Sequence, residues 1–175
     1  SIKIKGVDHE FSSIPGVMED VIQIILNVKK IRFKLHSDEP AKVTLRVKGE
    51  KEVTAGDIKT TSGMEVINTD QHIATLTDKK ADLEIEFDIE KGAGYVPVEQ
   101  RQKDKLAIGV IAIDAIFSPV KMVNFTVENV RVGQRIDFNK IIMDIETDGS
   151  IETEEALKKA SEILIKHFEI TGSVE

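Results

Sequence analysis

The chain contains no cysteine and no tryptophan, and it has one tyrosine among its 175 residues. The absence of cysteine excludes disulfide bonds, thiolate catalysis and cysteine-bound zinc. With so few large aromatic rings, core packing must depend on Ile, Val and Leu, which favour β-sheet. No apolar run approaches the ~20 residues that a membrane-spanning helix needs, and nothing resembles a secretion signal. We therefore expect a cytoplasmic protein with no membrane partner.

The charge balance gives limited information about partners. Asp and Glu outnumber Lys and Arg by 31 to 24, for a net charge of −7. An acidic chain is a poor candidate for broad nucleic-acid binding, although a local basic patch is compatible with it. The apolar fraction of 41% is typical of a globular protein. At 175 residues, the chain is long enough for one ordinary domain or two small ones.

Residues 12–30 (SSIPGVMEDVIQIILNVKK) form the most informative stretch. Ser12, Ser13 and Pro15 predict a helix start, with Glu19 and Asp20 in the first turn. At 100° per residue, apolar side chains cover an arc of roughly 200°, about twice what packing on one core requires. The arc contains Val17, Met18, Val21, Ile22, Ile24, Ile25, Leu26 and Val28, with Lys29 at its edge. Either the helix is sandwiched within its own domain, or one flank docks a second protein.

Alternating apolar residues predict that the remainder is rich in strands. Strand patterns occur at residues 2–4, 31–36, 43–47, 66–67, 73–76, 83–89, 123–132 and 141–145. The dense apolar run 107–116 predicts a strand buried on both faces, and 98–105 predicts a charged, mobile loop. A helix capped by Thr153 follows, with an apolar stripe extending to Phe168.

The helices fall near the two ends, which is an α+β pattern and not alternating βαβ units. Composition changes near Ser118-Pro119, which indicates a boundary between residues 1–118 and residues 119–175.

Motifs for catalysis or ligand binding are weak. Gly92-Ala93-Gly94 is not followed by Lys-Ser/Thr and does not open a helix, so a structural corner is favoured over a phosphate loop. Asp8, His9 and Glu10 are adjacent and cannot converge on a metal without another ligand. The serines lack the glycine elbow of hydrolases, and the many carboxylates alternate as solvated strand faces do. We expect no catalytic residues, no metal and no cofactor.

Four ordered motifs carry a family resemblance. They are HEFSSIPGVMEDVIQIILNVK (9–29), GYVP (94–97), IDAIFSPV (113–120) and VENVRVGQRIDFNKIIMDIETDGSI (127–151). Together with the final helix, these motifs resemble the amino-terminal domain of the bacterial DNA-directed RNA polymerase alpha subunit. The resemblance covers essentially the whole chain. It departs from the family pattern at Lys91, Ala93, Ile136, Asn139 and Thr153, and the first two put any charge-based role of the glycine corner in doubt.

The resemblance implies a fold and a set of partners. Residues 1–118 would be a strand-rich inserted subdomain with one main helix, and 119–175 the second half of a two-layer α/β dimerisation subdomain. The family's first strands and long helix, and its carboxy-terminal DNA-binding domain, are expected outside this chain. Its members pair as homodimers and assemble the beta and beta-prime subunits for transcription. From this fragment we expect no direct DNA contact, and weak dimerisation or none.

The resemblance also implies roles for individual residues. Lys29 matches a position of large-subunit contact. Other assembly positions of the family are matched by Asp114, Val120 and Arg131. The residues expected to flank Lys29 are Met18, Glu19, Asp20 and Ile22. The dimer interface is expected to contain Leu157, Ala160, Leu164 and Phe168.

The alternative function is a stand-alone acidic enzyme or ligand-binding domain using the glycine corner or the carboxylates near Asp144. A docking subunit should expose the Met18/Ile22 flank and lack a deep polar pocket, and an enzyme should show the reverse.

Overall fold

A computed structural model describes residues 1–101, 107 and 109–172 of the chain. These residues form a strand-rich α+β structure, which confirms the predicted fold class. The chain divides into two compact units, Ser1–Phe117 and Ser118–Glu175. No helix among the residues described combines the length and apolarity needed to cross a membrane.

The described residues of the first unit form short strands and two helices. In chain order these are β1 (Ile2–Ile4), α1 (Val21–Val28), β2 (Phe33–Leu35), β3 (Ala41–Lys48), β4 (Lys51–Thr54), a 3-10 turn (Ala55–Asp57), β5 (Ile58–Lys59), β6 (Met64–Val66), β7 (His72–Leu76), β8 (Asp82–Ile89), β9 (Tyr95–Val96), α2 (Val98–Arg101), β10 (Val110–Ile111) and β11 (Ala115–Ile116). Among the described residues, the largest sheet is antiparallel with the order β10-β1-β8-β3-β5, and β2–β6, β4–β7 and β9–β11 form separate pairs.

One apolar core holds this unit together. In β8, Leu83, Ile85 and Phe87 face inward and are almost fully buried, as their alternation predicts. We expected the acidic side chains that alternate with them to be solvated, but Glu84 and Asp88 form ion pairs with Lys and Arg side chains. Glu84 contacts Lys5 at 3.0 Å, and Asp88 contacts Lys42 at 3.3 Å. Cross-strand charge pairs of this kind support strand register.

Helix α1 begins later than predicted, at Val21 instead of near Ser12. Gly16 adopts a left-handed backbone conformation (φ +76°), which a helix cannot continue through. Residues 12–20 therefore form an irregular segment with a turn, in which the Val17 N–H donates to the Ile14 carbonyl. Asp20 is the N-cap and not a first-turn residue, and Glu19 lies outside the helix.

The run 107–116 is not a doubly buried strand. Within its described part it forms β10 and β11, each two residues long, in two different sheets and half-buried or exposed. Residue 108 lies outside the described residues. Of the predicted loop 98–105, the first four residues form the short helix α2, and 102–105 lie outside the described residues.

The second unit is a long hairpin followed by a helix. Strands β12 (Val120–Val132) and β13 (Arg135–Thr147) pair antiparallel around Gly133, and α3 spans Thr153–Gly172. The described side chains of this unit are half-buried or exposed, and every fully buried apolar side chain described lies between Ile2 and Phe87.

Candidate functional site

Helix α1 is fixed at its first residue by a reciprocal cap. The Gln23 backbone N–H donates to Asp20 Oδ1 at 2.7 Å, and the Asp20 N–H donates to Gln23 Oε1 at 3.2 Å. This arrangement satisfies donors that a helix start would otherwise leave unpaired. The cap thereby fixes where α1 begins.

The two sides of α1 differ sharply in exposure. Val21, Ile24 and Val28 are buried in the core of the first unit. Met18, Ile22 and Leu26, which we call the outer face, are 75%, 39% and 52% exposed. The apolar arc is therefore buried on one side and open on the other, and the helix is not sandwiched within its unit.

A shallow groove of about 540 Å³ runs beside the outer face. Its lining combines apolar and polar side chains, namely Met18, Glu19, Gln23, Leu26, Asn27, Lys30 and His72. An open groove of mixed character suits a protein segment better than a small molecule, which proteins usually enclose.

Glu19 anchors the segment before α1 to strand β7. Its carboxylate accepts hydrogen bonds from the Thr75 N–H (2.6 Å) and Thr75 Oγ1 (3.0 Å), and its Oε1 lies 2.9 Å from His72 Nε2. Burial alone would raise the pKa of Glu19, but these hydrogen bonds outweigh burial and hold the pKa below its ordinary value. The ionised carboxylate therefore holds the base of the outer face in position.

Lys29 forms an ion pair within its own unit. Its Nζ lies 2.5 Å from Asp114 Oδ2. This hydrogen bond to the ammonium is the main reason that the pKa of Asp114 lies below its ordinary value, with a smaller contribution from the Val98 N–H. The structure thus brings together two residues that the sequence singled out separately, 85 positions apart.

The other predicted assembly residues lie in the second unit. Val120 begins β12 opposite Thr147. Arg131 is exposed at the hairpin end, where its Nε donates to the Gly133 carbonyl at 2.8 Å. On α3, Leu157, Leu164 and Phe168 are 44%, 58% and 71% exposed, and Ala160 is exposed as well.

The glycine corner has a structural explanation. A Cβ on Gly92 would come within 2.6 Å of the Phe117 ring, and Gly94 has a φ of +67°. The Phe117 N–H donates to the Gly94 carbonyl at 2.8 Å, next to the β9–β11 pairing. Close packing and a left-handed turn thus account for both glycines.

The carboxylates near Asp144 line an open cleft of about 420 Å³ between hairpin and α3 residues of the second unit. Glu146 pairs with Lys121 at 3.5 Å. Within the described parts of the chain, no three His, Asp or Glu side chains come together as metal ligands would. The His9 Nδ1 instead lies 3.2 Å from Ser12 Oγ.

Comparison with known proteins identifies the family. Residues 2–118 match the family model described as the RNA polymerase Rpb3/RpoA insert domain. The DNA-directed RNA polymerase subunit alpha of Symbiobacterium thermophilum is 48% identical over 170 residues, which is 97% of this chain. The chain belongs to the bacterial RNA polymerase alpha subunit family. This membership confirms the resemblance that the four sequence motifs carried.

Further relatives give the same result for this alpha-family chain. The alpha subunit of Moorella thermoacetica is 48% identical over 170 residues, and that of Geobacter metallireducens is 49% identical over 170 residues. Each match covers 97% of this chain, but 54% and 50% of those relatives. The alpha-family chain therefore spans about half the length of the curated relatives it matches.

Sequence reasoning missed the contacts that support the outer face. No sequence motif includes His72, yet it meets Glu19 from 53 positions away. The Lys29–Asp114 pair was equally hidden, because neither residue stands in a local pattern that predicts a partner. A sequence signal was available only for Asp20, whose spacing to Gln23 is that of a capping box.

Proposed function

We propose that this chain is part of a non-catalytic assembly subunit of bacterial DNA-directed RNA polymerase. Its outer face would dock one of the large subunits, beta or beta-prime, and α3 would contribute to an alpha–alpha dimer. The single observation that carries the proposal is the exposure of Ile22 and Leu26 on α1, and of Met18 just before it, while the opposite side of α1 is buried, in a member of this family. Contiguous exposed apolar side chains on one helix are typical of protein-binding surfaces.

The remaining candidate residues fit this proposal in two groups. Glu19 and Asp20 hold the outer face in position, and Lys29 and Asp114 lie at the other end of the same helix. Val120 and Arg131 are proposed as assembly residues of the second unit, and Leu157, Ala160, Leu164 and Phe168 as dimer contacts. Transcription would place the protein in the cytoplasm, with no cofactor and no DNA contact of its own.

The enzyme alternative has little support. Its candidate carboxylates line an open cleft, one of them is paired with a lysine, and the glycine corner is explained by packing. The relatives are named as polymerase subunits and not as stand-alone enzymes.

Charged substitutions on the outer face test the docking proposal. In the full-length subunit, Met18→Asp and Leu26→Asp should each weaken binding of the large subunit about tenfold or more, because burying an unpaired carboxylate is unfavourable. Met18→Leu and Leu26→Met are the matched controls, since they keep an apolar side chain, and should bind like the wild type. Affinity can be measured by titrating the purified large subunit. Unchanged binding by both Asp variants would remove α1 from the interface.

A further inference from the structure

Lys29 ends helix α1 with its charge already paired. Its Nζ lies 2.5 Å from Asp114 Oδ2, and the two side chains are 29% and 24% exposed. An ammonium held this way is a poor free anchor for a second protein, because the partner would have to displace or share the carboxylate.

Asp114 also contacts a second element, the segment 92–98. Its Oδ1 accepts a hydrogen bond from the Val98 N–H at 3.3 Å. The next residue, Ala115, pairs with Val96 across β11 and β9, and the Tyr95 hydroxyl is close enough to help lower the pKa of Asp114. The aspartate therefore joins α1 to this segment.

The C-terminal end of α1 is fixed on its other side by different residues. The Asn68 side chain donates to the Lys30 carbonyl at 2.9 Å and accepts from the Arg32 N–H at 2.7 Å. Asn27 Nδ2 donates to the Ile73 carbonyl at 3.1 Å. Because the helix end is fixed in this way, loss of the Lys29–Asp114 pair should release segment 92–98 and leave α1 in place.

We infer that Lys29 supports docking as a positioning residue that acts through Asp114, by holding segment 92–98 against the end of α1. The docking surface then extends from the outer face to Tyr95 and Ile116, which are 58% and 53% exposed on the β9–β11 pair. This inference rests on the proposed docking function and adds a second element to the surface.

A double-mutant cycle in the full-length subunit tests the inference. Lys29→Met and Asp114→Asn remove the charges, and Asn still offers an oxygen to the Val98 N–H. If the pair acts as a unit, each single variant weakens large-subunit binding roughly five- to tenfold, and the double variant is no weaker than either one. If Asp114→Asn binds like the wild type, if the losses add, or if neither single variant loses affinity, the inference is overturned.

A spectroscopic measurement reports the position of the segment directly. Tyr95 is the one tyrosine of this chain, and in the full-length subunit its 3-fluorotyrosine resonance can be assigned with Tyr95→Phe. Lys29→Met and Asp114→Asn should both shift that 19F resonance, without lowering the unfolding temperature of the protein. An unmoved resonance in Lys29→Met contradicts the inference. Met18→Asp is run alongside, because its failure to weaken binding would reject the docking proposal itself.

Discussion

Glu19 shows how one side chain connects sequence-distant parts of the first unit. Its carboxylate accepts two hydrogen bonds from Thr75 and lies 2.9 Å from the His72 ring, so it fixes the residues before α1 on strand β7. The side chain is largely buried, with 14% exposure. A partly buried carboxylate with these partners contributes more to stability when it is ionised than when it is protonated.

We predict that Glu19→Gln destabilises the chain by about 1–3 kcal/mol near neutral pH, because an amide cannot accept the same set of hydrogen bonds. The pKa of Glu19 is lower in the folded chain than in the unfolded one, so its contribution is complete above the unfolded value of about 4.3. It is lost as the pH falls through the folded pKa. Urea unfolding across this range should show the variant and the wild type converging at acid pH.

Glu39→Gln is the control for this experiment, since Glu39 is exposed in the turn before β3. It should leave the free energy of unfolding within about 0.5 kcal/mol of the wild type at any pH. A Glu19→Gln deficit that persists at acid pH would show that the loss comes from packing and not from the ionised carboxylate.

At the scale of the element, α1 depends on its cap for its start. Gly16 ends any helical path from Ser12, and the Asp20–Gln23 capping box then sets Val21 as the first helical residue. With this start, Val21, Ile24 and Val28 face the core and the outer face remains open. The cap thus sets where α1 begins, and packing of Val21, Ile24 and Val28 in the core leaves the outer face exposed.

We predict that Asp20→Ala lowers the free energy of unfolding by about 0.5–2 kcal/mol, because the Gln23 N–H loses its acceptor. Asp20→Asn is the matched control and should be nearly neutral, since Asn is an equally good N-cap. Chemical denaturation measures the stability, and amide hydrogen exchange at Gln23 reports the cap directly. Equal damage from Asn and Ala would mean that the charge of Asp20 matters more than its capping hydrogen bond.

At the scale of the whole molecule, the two units differ in how they bury apolar surface. The first unit has a closed core of Ile, Val and Leu, whereas the second exposes apolar side chains along its hairpin and along α3, including Phe125, Ile136, Ile141 and Phe168. Exposure on this scale is unusual for a free surface and favours coverage by another element or subunit. This is the physical basis for proposing that α3 contributes to a dimer.

We predict that Leu164→Glu and Phe168→Glu weaken dimerisation of the full-length subunit about tenfold to a hundredfold each, since each replaces apolar contact area with a charge. Lys166→Glu, about 200° around the helix from Leu164, is the control and should dimerise like the wild type. Sedimentation velocity over a concentration series gives the dimer dissociation constant. Equal weakening by Lys166→Glu would point to net charge instead of a specific face.

The sequence by itself determined the α+β class, the strands β1, β3, β7 and β8 with their inward Ile, Val and Leu, and the final helix, because these follow from local periodicity and capping residues. Its ordered motifs also determined the family. Only the tertiary structure decided that 107–116 divides between two sheets, and that Glu19 and Lys29 are paired with His72, Thr75 and Asp114. Those side-chain pairs join residues 53 to 85 positions apart, and no local pattern encodes which distant partner a carboxylate or an ammonium will meet.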